Sequence, residues 1–416
     1  MRPTSLLLLA ALLFQADTPA APATKNEGLP STTPWAVASL DAAPAFEWVD
    51  RESSVQSLLF AGEPYHGRST KVFAYYASPA TVAERAPGKS ERFPAMVLIH
   101  GGGGTAFREW AELWAKKGYA AIAMDTAGYR PNEGQNAHDK KNRTRLDEAG
   151  PDQSDEEKFG SVDSAPSEQW PYHAVAAAIR AHSLIRSFPE VDAERTGVTG
   201  ISWGGYLTCI VAGVDARFKV AIPVYGCGFL HENSAWVGRL EKMTTDQRDR
   251  WINFWDPSRY VQNASMPMLF VNGTNDFAYP LDSYMKTYAL PKGPKQIRIT
   301  VNMPHGHQAG WAPQEIAIFA DQHLRNGTAL PILSPATVIK DGMTAHITNN
   351  VPIRSASLHS TTEDGPINKR KWNSVPLTVS ASNISGPLPD TKATAWFITV
   401  TDTRDATVSS TVTINK

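Results

Sequence analysis

The chain has 416 residues, enough for two or three domains and a substantial buried core, which excludes a peptide hormone or a disulfide mini-protein. Lys and Arg number 40 against 41 Asp and Glu, a formal net charge of −1. No global field therefore draws the protein to nucleic acid or an anionic membrane, and binding has to come from a local site. With 29 Gly and 30 Pro the composition is that of a turn-rich globular protein, and 2 Cys are too few for a disulfide framework or a four-thiolate metal site.

At the N-terminus Arg2 precedes the apolar run Leu6 to Phe14 and a small-residue zone through Ala16, Ala20, Ala21 and Ala23. This is the order of a signal peptide, expected over residues 1–23, so the mature protein is expected to be exported (periplasmic or secreted). No later segment approaches the roughly 18 apolar residues of a membrane helix. Residues 24–54 read as a Pro-rich leader, and Val55 to Ala77 as two strands joined by a turn around Gly67. From Ala95 to His100 an unbroken apolar run ends in four glycines, the pattern of a strand buried on both sheet faces. A helix (Ala106 to Lys117) and another buried strand (Tyr119 to Met124) follow, and then a polar segment, Asp125 to Glu168, too long for a plain connection. Helices over Ala174 to Ser187 and Trp203 to Val214 alternate with strands at Thr196 to Thr199, Val220 to Tyr225, Met268 to Asn272 and Ile297 to Val301. Such alternation predicts an α/β domain, a mostly parallel sheet with helices on both faces, over residues 55–330. Residues 331–416 hold short alternating runs between Asp, Gly, Pro and Asn turns, which predicts a small all-β sandwich that the chemistry can do without.

Gly200-Ile201-Ser202-Trp203-Gly204 is G-x-S-x-G between a strand and a helix. There a sharp turn lifts the serine hydroxyl out of the sheet, and the helix N-terminus sets the Trp203 amide beside a developing oxyanion. A nucleophilic serine needs a base, and the base an orienting carboxylate. Asp276 follows the strand ending at Asn272, with Asp282 as the alternative, and His305 and His307 follow the strand ending at Val301. The order Ser202, Asp276, His305 places all three at the C-terminal ends of strands, where parallel sheets build their sites. His305 is expected to be the base because it comes first after its strand. His100-Gly101-Gly102-Gly103-Gly104 is expected to supply further oxyanion amides, from Gly102 and Gly103. The loop fits neither phosphate-binding glycine pattern. His305-x-His307 has no third ligand at metal-site spacing, so neither metal nor cofactor is expected. Cys209 and Cys227 read as packed apolar residues, with a disulfide between them left open.

On these residues, 55–330 resemble an α/β-hydrolase of the serine esterase and prolyl-oligopeptidase-like group. GISWGGYLT resembles the oligopeptidase-type nucleophile segment and LIHGGGG the oxyanion strand of many esterases. The whole is similar to exported bacterial proteins labelled acetyl xylan esterase or dienelactone-hydrolase-like. The resemblance implies a Ser-His-Asp acyl-enzyme mechanism on a small-molecule or polysaccharide ester, such as acetylated xylan. In such esterases an aromatic stands six residues after the catalytic histidine. Trp311 holds that position relative to His305, which favours His305 over His307 as the base; His307 is expected to line the substrate pocket or to hydrogen-bond the loop, and Trp311 to line the pocket. About 90 residues precede the HGGGG strand, too few for an oligopeptidase propeller, so a peptidase is the alternative reading. A non-catalytic carbohydrate-binding protein on the same fold is the second alternative.

Overall fold

The computed structural model describes residues 28–340 and 342–415; the expected signal peptide lies outside the described residues. In chain order the strands are β1 (Phe46–Asp50), β2 (Gln56–Ala61), β3 (Lys71–Ala77), β4 (Phe93–Ile99), β5 (Ala120–Met124), β6 (Tyr129–Pro131), β7 (Arg143–Arg145), β8 (Val191–Ile201), β9 (Val220–Val224), β10 (Met268–Gly273) and β11 (Lys295–Thr300). Those of the C-terminal region are β12 (Ile332–Leu333), β13 (Thr337–Ile339), β14 (Gly342–Thr348), β15 (Ile353–Thr361), β16 (Asn373–Ser380), β17 (Asn383–Gly386), β18 (Ala395–Asp402), β19 (Thr407–Ser409) and β20 (Thr413–Ile414).

Across the main sheet the order is β1, β2, β3, β5, β4, β8, β9, β10, β11. The first three strands run antiparallel to their neighbours, and those from β5 to β11 are mutually parallel. Parallel neighbours require crossovers, supplied by the helices Arg108–Lys116, Trp170–Arg186, Trp203–Val214 and Leu281–Ala289. The strands β4, β5, β9 and β10 are buried at every residue, because FPAMVLI, AAIAM, VAIPV and MLFVNG put successive side chains against helices on opposite faces. With β4, β8, β10 and β11 parallel, the residues that follow them emerge at one edge, and these residues build the site. The fold is thus α/β with a mostly parallel sheet, followed by the all-β region that the sequence implied.

That region has two layers. One contains β14, β17 and the end of β16; the other contains β15, β18 and the start of β16, which changes partner at Leu377. The short β19 pairs on one side with β18 and on the other with β11, where Ile297 faces Ser409, so the two sheets are continuous. Ser409 Oγ accepts the Ile299 amide at 2.8 Å, Glu315 accepts the Thr407 amide at 2.7 Å, and Arg404 donates to the carbonyls of Thr328 and Ala329. A self-contained appended sandwich was the sequence expectation; these bonds tie it into the edge of the main sheet.

The leader expected over 24–54 needs a further correction. β1 is the outer strand of the main sheet, and Trp35, 1% exposed, packs against Trp255 and Tyr260. A single Trp among Ala and Pro carries no periodic signal, yet burying it contributes on the order of 2 kcal/mol or more. The long polar segment after β5 is likewise ordered, around the β6–β7 hairpin.

Candidate active site

Ser202 sits between β8 and the helix Trp203–Val214 at φ 60° and ψ −116°, a strained conformation for a residue with a side chain. The turn fits because Gly204 has no Cβ, which at that place would collide with the Ile99 carbonyl of β4. His305 Nε2 lies 3.0 Å from Ser202 Oγ, and His305 Nδ1 lies 2.7 Å from Asp276 Oδ2. The second oxygen of Asp276 accepts the amides of Ala278 and Tyr279 at 2.9 and 2.8 Å, and the residue is 1% exposed. A carboxylate held this way accepts Nδ1–H, which leaves the lone pair of Nε2 facing the serine hydroxyl. The imidazole stacks on Tyr225 with ring centroids 4.4 Å apart, and the Tyr225 hydroxyl donates to the Pro304 carbonyl at 2.7 Å. The structure therefore brings Ser202, Asp276 and His305 together. Asp282 is elsewhere, accepting from Asn233 and from the Ser283 amide.

The glycine loop is fastened from both sides. His100, buried, donates through Nδ1 to the Gly101 carbonyl at 2.8 Å, since its Nε2 accepts the Thr126 amide at 2.9 Å. His307 Nε2 accepts the Gly101 amide at 3.0 Å, which requires neutral imidazole. Burial, with the nearby His100, His138, His305 and Arg143, pushes the His307 pKa down to about 3. Of the two roles expected for His307, this contact is a hydrogen bond to a loop, and its ring faces Phe107. Trp311 departs from its expected place in the substrate pocket. One helical turn after His307, it stacks on Trp110 at 5.3 Å and meets Phe107 edge-on at 5.5 Å, an aromatic cluster beside the helix Arg108–Lys116. Arg143 donates to the carbonyls of Gly103 (2.9 Å) and Gly104 (2.7 Å). Among the described residues the amides of Gly102 and Gly103 have no acceptor, and that of Trp203 belongs to the first turn of a helix, so none of the three is committed to a backbone partner.

Three neighbours of the site were not singled out by sequence. Phe277, directly after Asp276, is 60% exposed with its ring 5.0 Å from His305. Tyr279 is fully buried, its hydroxyl has no hydrogen-bond partner among the described residues, and burial raises its pKa well above the usual phenol value while the Ser202 hydroxyl pulls the other way. Lys158, also buried, places its ammonium 4.8 Å from the Trp203 ring centroid, and burial lowers its pKa. An aromatic one and three residues after the candidate aspartate was a readable signal; the position of Lys158 was not. Cys209 and Cys227 are both free and buried. Among the described residues no helix is long and apolar enough to cross a membrane.

A parallel sheet with a serine on a strand-to-helix turn, a histidine bonded to it and a carboxylate behind the histidine defines an α/β-hydrolase of the serine type. The profile of the acetyl xylan esterase (AXE1) family matches residues 36–278, more than half of the chain, and the chain belongs to that family. The profile of the PhoPQ-activated pathogenicity-related proteins matches residues 236–365. An uncharacterized peptidase, YuxL, of Bacillus subtilis is 27% identical over 261 residues, covering 56% of this chain and 35% of that protein. The acetyl esterase Axe7A of Xylanibacter ruminicola is 23% identical over 227 residues, covering 51% of this chain and 49% of its own. The chain thus spans about a third to a half of the length of these curated relatives. In fold it is similar to the acetyl xylan esterase of Paenibacillus sp. R4, at 21% identity and a TM-score of 0.54, covering 69% of this chain and 92% of that one.

Proposed function

We propose that this chain is an exported serine hydrolase that removes acyl groups, acetyl first among them, from esters of a carbohydrate. The observation that carries the reading is the hydrogen-bonded series from Ser202 Oγ through His305 to Asp276, at 3.0 and 2.7 Å. Ser202 attacks the ester carbonyl as His305 Nε2 takes its proton, and Asp276 holds the imidazole in the required tautomer. The amides of Trp203 and Gly102, with Gly103 beside them, receive the oxyanion. His305 then returns the proton to the leaving alcohol oxygen, and water, deprotonated by the same histidine, releases the acid and frees Ser202. Family membership supports acetyl as the acyl group, and the exposed face of Phe277 beside His305 supports a leaving group that includes a sugar ring. The order of charge and apolar residues at the N-terminus supports export.

The test is fluorophosphonate treatment followed by peptide mapping, with hydrolysis of an aryl acetate and of a dipeptidyl arylamide measured side by side. An adduct on Ser202 and faster cleavage of the acetate are expected. An unlabelled Ser202 with no hydrolysis overturns the reading. Faster cleavage of the amide favours the peptidase alternative, to which the similarity to YuxL lends weight.

A further inference from the structure

The glycine loop has two sides. On one, Gly101 lies against Ser202; on the other, Gly103 and Gly104 border a cavity of about 260 Å³ whose far wall is formed by Lys140, Arg143, Asp152 and Gln153. Gly103 has φ +68°, and the Lys140 stem lies where a side chain would be: Cε falls 3.0 Å and Nζ 3.3 Å from the Cβ position. The Lys140 ammonium has no carboxylate partner among the described residues. The adjacent Asp139 is paired with Lys141 instead, at 3.0 Å. Arg143 makes no ion pair among the described residues, although the charges of Asp125 and Asp139 reach it; its guanidinium is bonded to carbonyls, those of Gly103, Gly104 and Ala137. Asp152 is the acid in the lining, and it accepts the Ser154 amide at 2.7 Å. Lys158 is not part of this lining; it is paired with Asp155 at 3.5 Å, a carboxylate that Arg239 shares. The balance of the lining is two cations to one anion, with a free ammonium at the mouth. Gln153 donates to Thr126 Oγ1 at 3.0 Å, which fixes its amide in the wall.

We propose that this cavity is a subsite for the carboxylate of an acidic sugar, a uronate carried by the ester substrate, with Lys140 as its counter-ion and the charge of Arg143 behind it. The proposal rests on the reading of Ser202 as the nucleophile of a carbohydrate esterase. Gly101 and Gly103 are two residues apart, so their Cα atoms are separated by no more than about 7 Å. One sugar unit spans such a gap, with its ester at Ser202 and its carboxylate or that of its neighbour at Lys140. A neutral sugar would fill the cavity and leave the ammonium unpaired.

The test is equilibrium binding of methyl glucuronoside and methyl glucoside to the full chain, by calorimetry at low and high salt, with aryl acetate hydrolysis measured on the same preparation. The wild type is expected to bind the glucuronoside about 5-fold more tightly at low salt, the size of effect a partly exposed ion pair gives. The preference should shrink in high salt, vanish in Lys140→Gln and persist in Lys140→Arg. Lys140 is exposed, so neither variant threatens the fold. Equal or undetectable binding of the two glycosides by the wild type, or a preference that survives in Lys140→Gln, overturns the subsite. A glucuronoside preference without aryl acetate hydrolysis upholds the subsite and removes the esterase reading; hydrolysis without a preference does the reverse.

Discussion

Replacing His307 with alanine removes the acceptor of the Gly101 amide, a buried N–H held at 3.0 Å, and the ring contact with Phe107 at 4.8 Å. Leaving a buried donor unsatisfied costs about 1–3 kcal/mol, and the aromatic contact adds roughly 0.5–1.5 kcal/mol. The loop can avoid part of that cost by turning the Gly101 peptide toward water, which displaces the Gly102 amide next to it. Since loss of one oxyanion donor lowers kcat by about 10²–10³, His307→Ala should lose between about 10-fold and that limit, and its melting temperature should fall by several degrees. Loss of His305 removes the base itself, on the order of 10⁶ in comparable triads, so the two alanine variants should differ by at least about 10³ in kcat. His307→Gln can place Oε1 where Nε2 was and is expected to recover most of the difference. The assay is aryl acetate hydrolysis at pH 8 with thermal unfolding in parallel. The reasoning is refuted if His307→Ala is as dead as expected for His305→Ala while His305→Ala stays active, or if His307→Ala matches wild type in both rate and melting temperature.

Ser202→Gly and Ser202→Ala should both abolish hydrolysis, but the glycine variant should be the more stable by about 1 kcal/mol, because only glycine relaxes the strain at φ 60°; equal urea midpoints would show the elbow to be unstrained. His182 is fully buried between Asp215 and Thr196, and burial pushes its pKa down to about 4, against about 6.5 in the unfolded chain. The unfolded state therefore gains a proton that the native state refuses, and stability that is full above pH 6.5 should drop by about 2 kcal/mol between pH 7.5 and pH 5; a flat urea midpoint over that range contradicts this. Ending the chain after Leu330 removes β19 from β11 together with the Glu315 and Arg404 bonds, so the fragment should aggregate or melt well below the whole chain; a soluble, fully active fragment would show that the edge needs no cover.

Legibility from sequence followed the sheet. Ser202, Asp276 and His305 follow the parallel strands β8, β10 and β11 by one, three and five residues, and parallel strands leave little freedom in where the next residues emerge. Period and order were therefore enough to nominate all three together. The residues around them depend on contacts between distant segments. Lys140 and Arg143 lie on and beside a hairpin of three-residue strands, too short for any alternation to show. The inward turn of His307 follows from Phe107 and Gly101, some two hundred positions earlier. Trp311 shows the risk of borrowed spacing: six residues after His305 is the right count, but the intervening short helix, His307–Trp311, carries its side chain round to Trp110. Trp35 and β1 were lost for the opposite reason, a core contribution from a segment whose composition resembles a linker.

Because β11 is covered by β19, the main sheet cannot be finished until β19 has been synthesised. A ribosome releasing this protein from its N-terminus exposes β11 with an open row of amides and carbonyls while about a hundred further residues are added, seconds during which a second nascent copy could pair with it. β11 is itself polar on alternate residues, Gln296, Arg298 and Thr300, which makes such pairing poorly rewarded before Ser409 arrives. Synthesis order thus gives β19 a second use, since its arrival closes the open edge of the catalytic sheet.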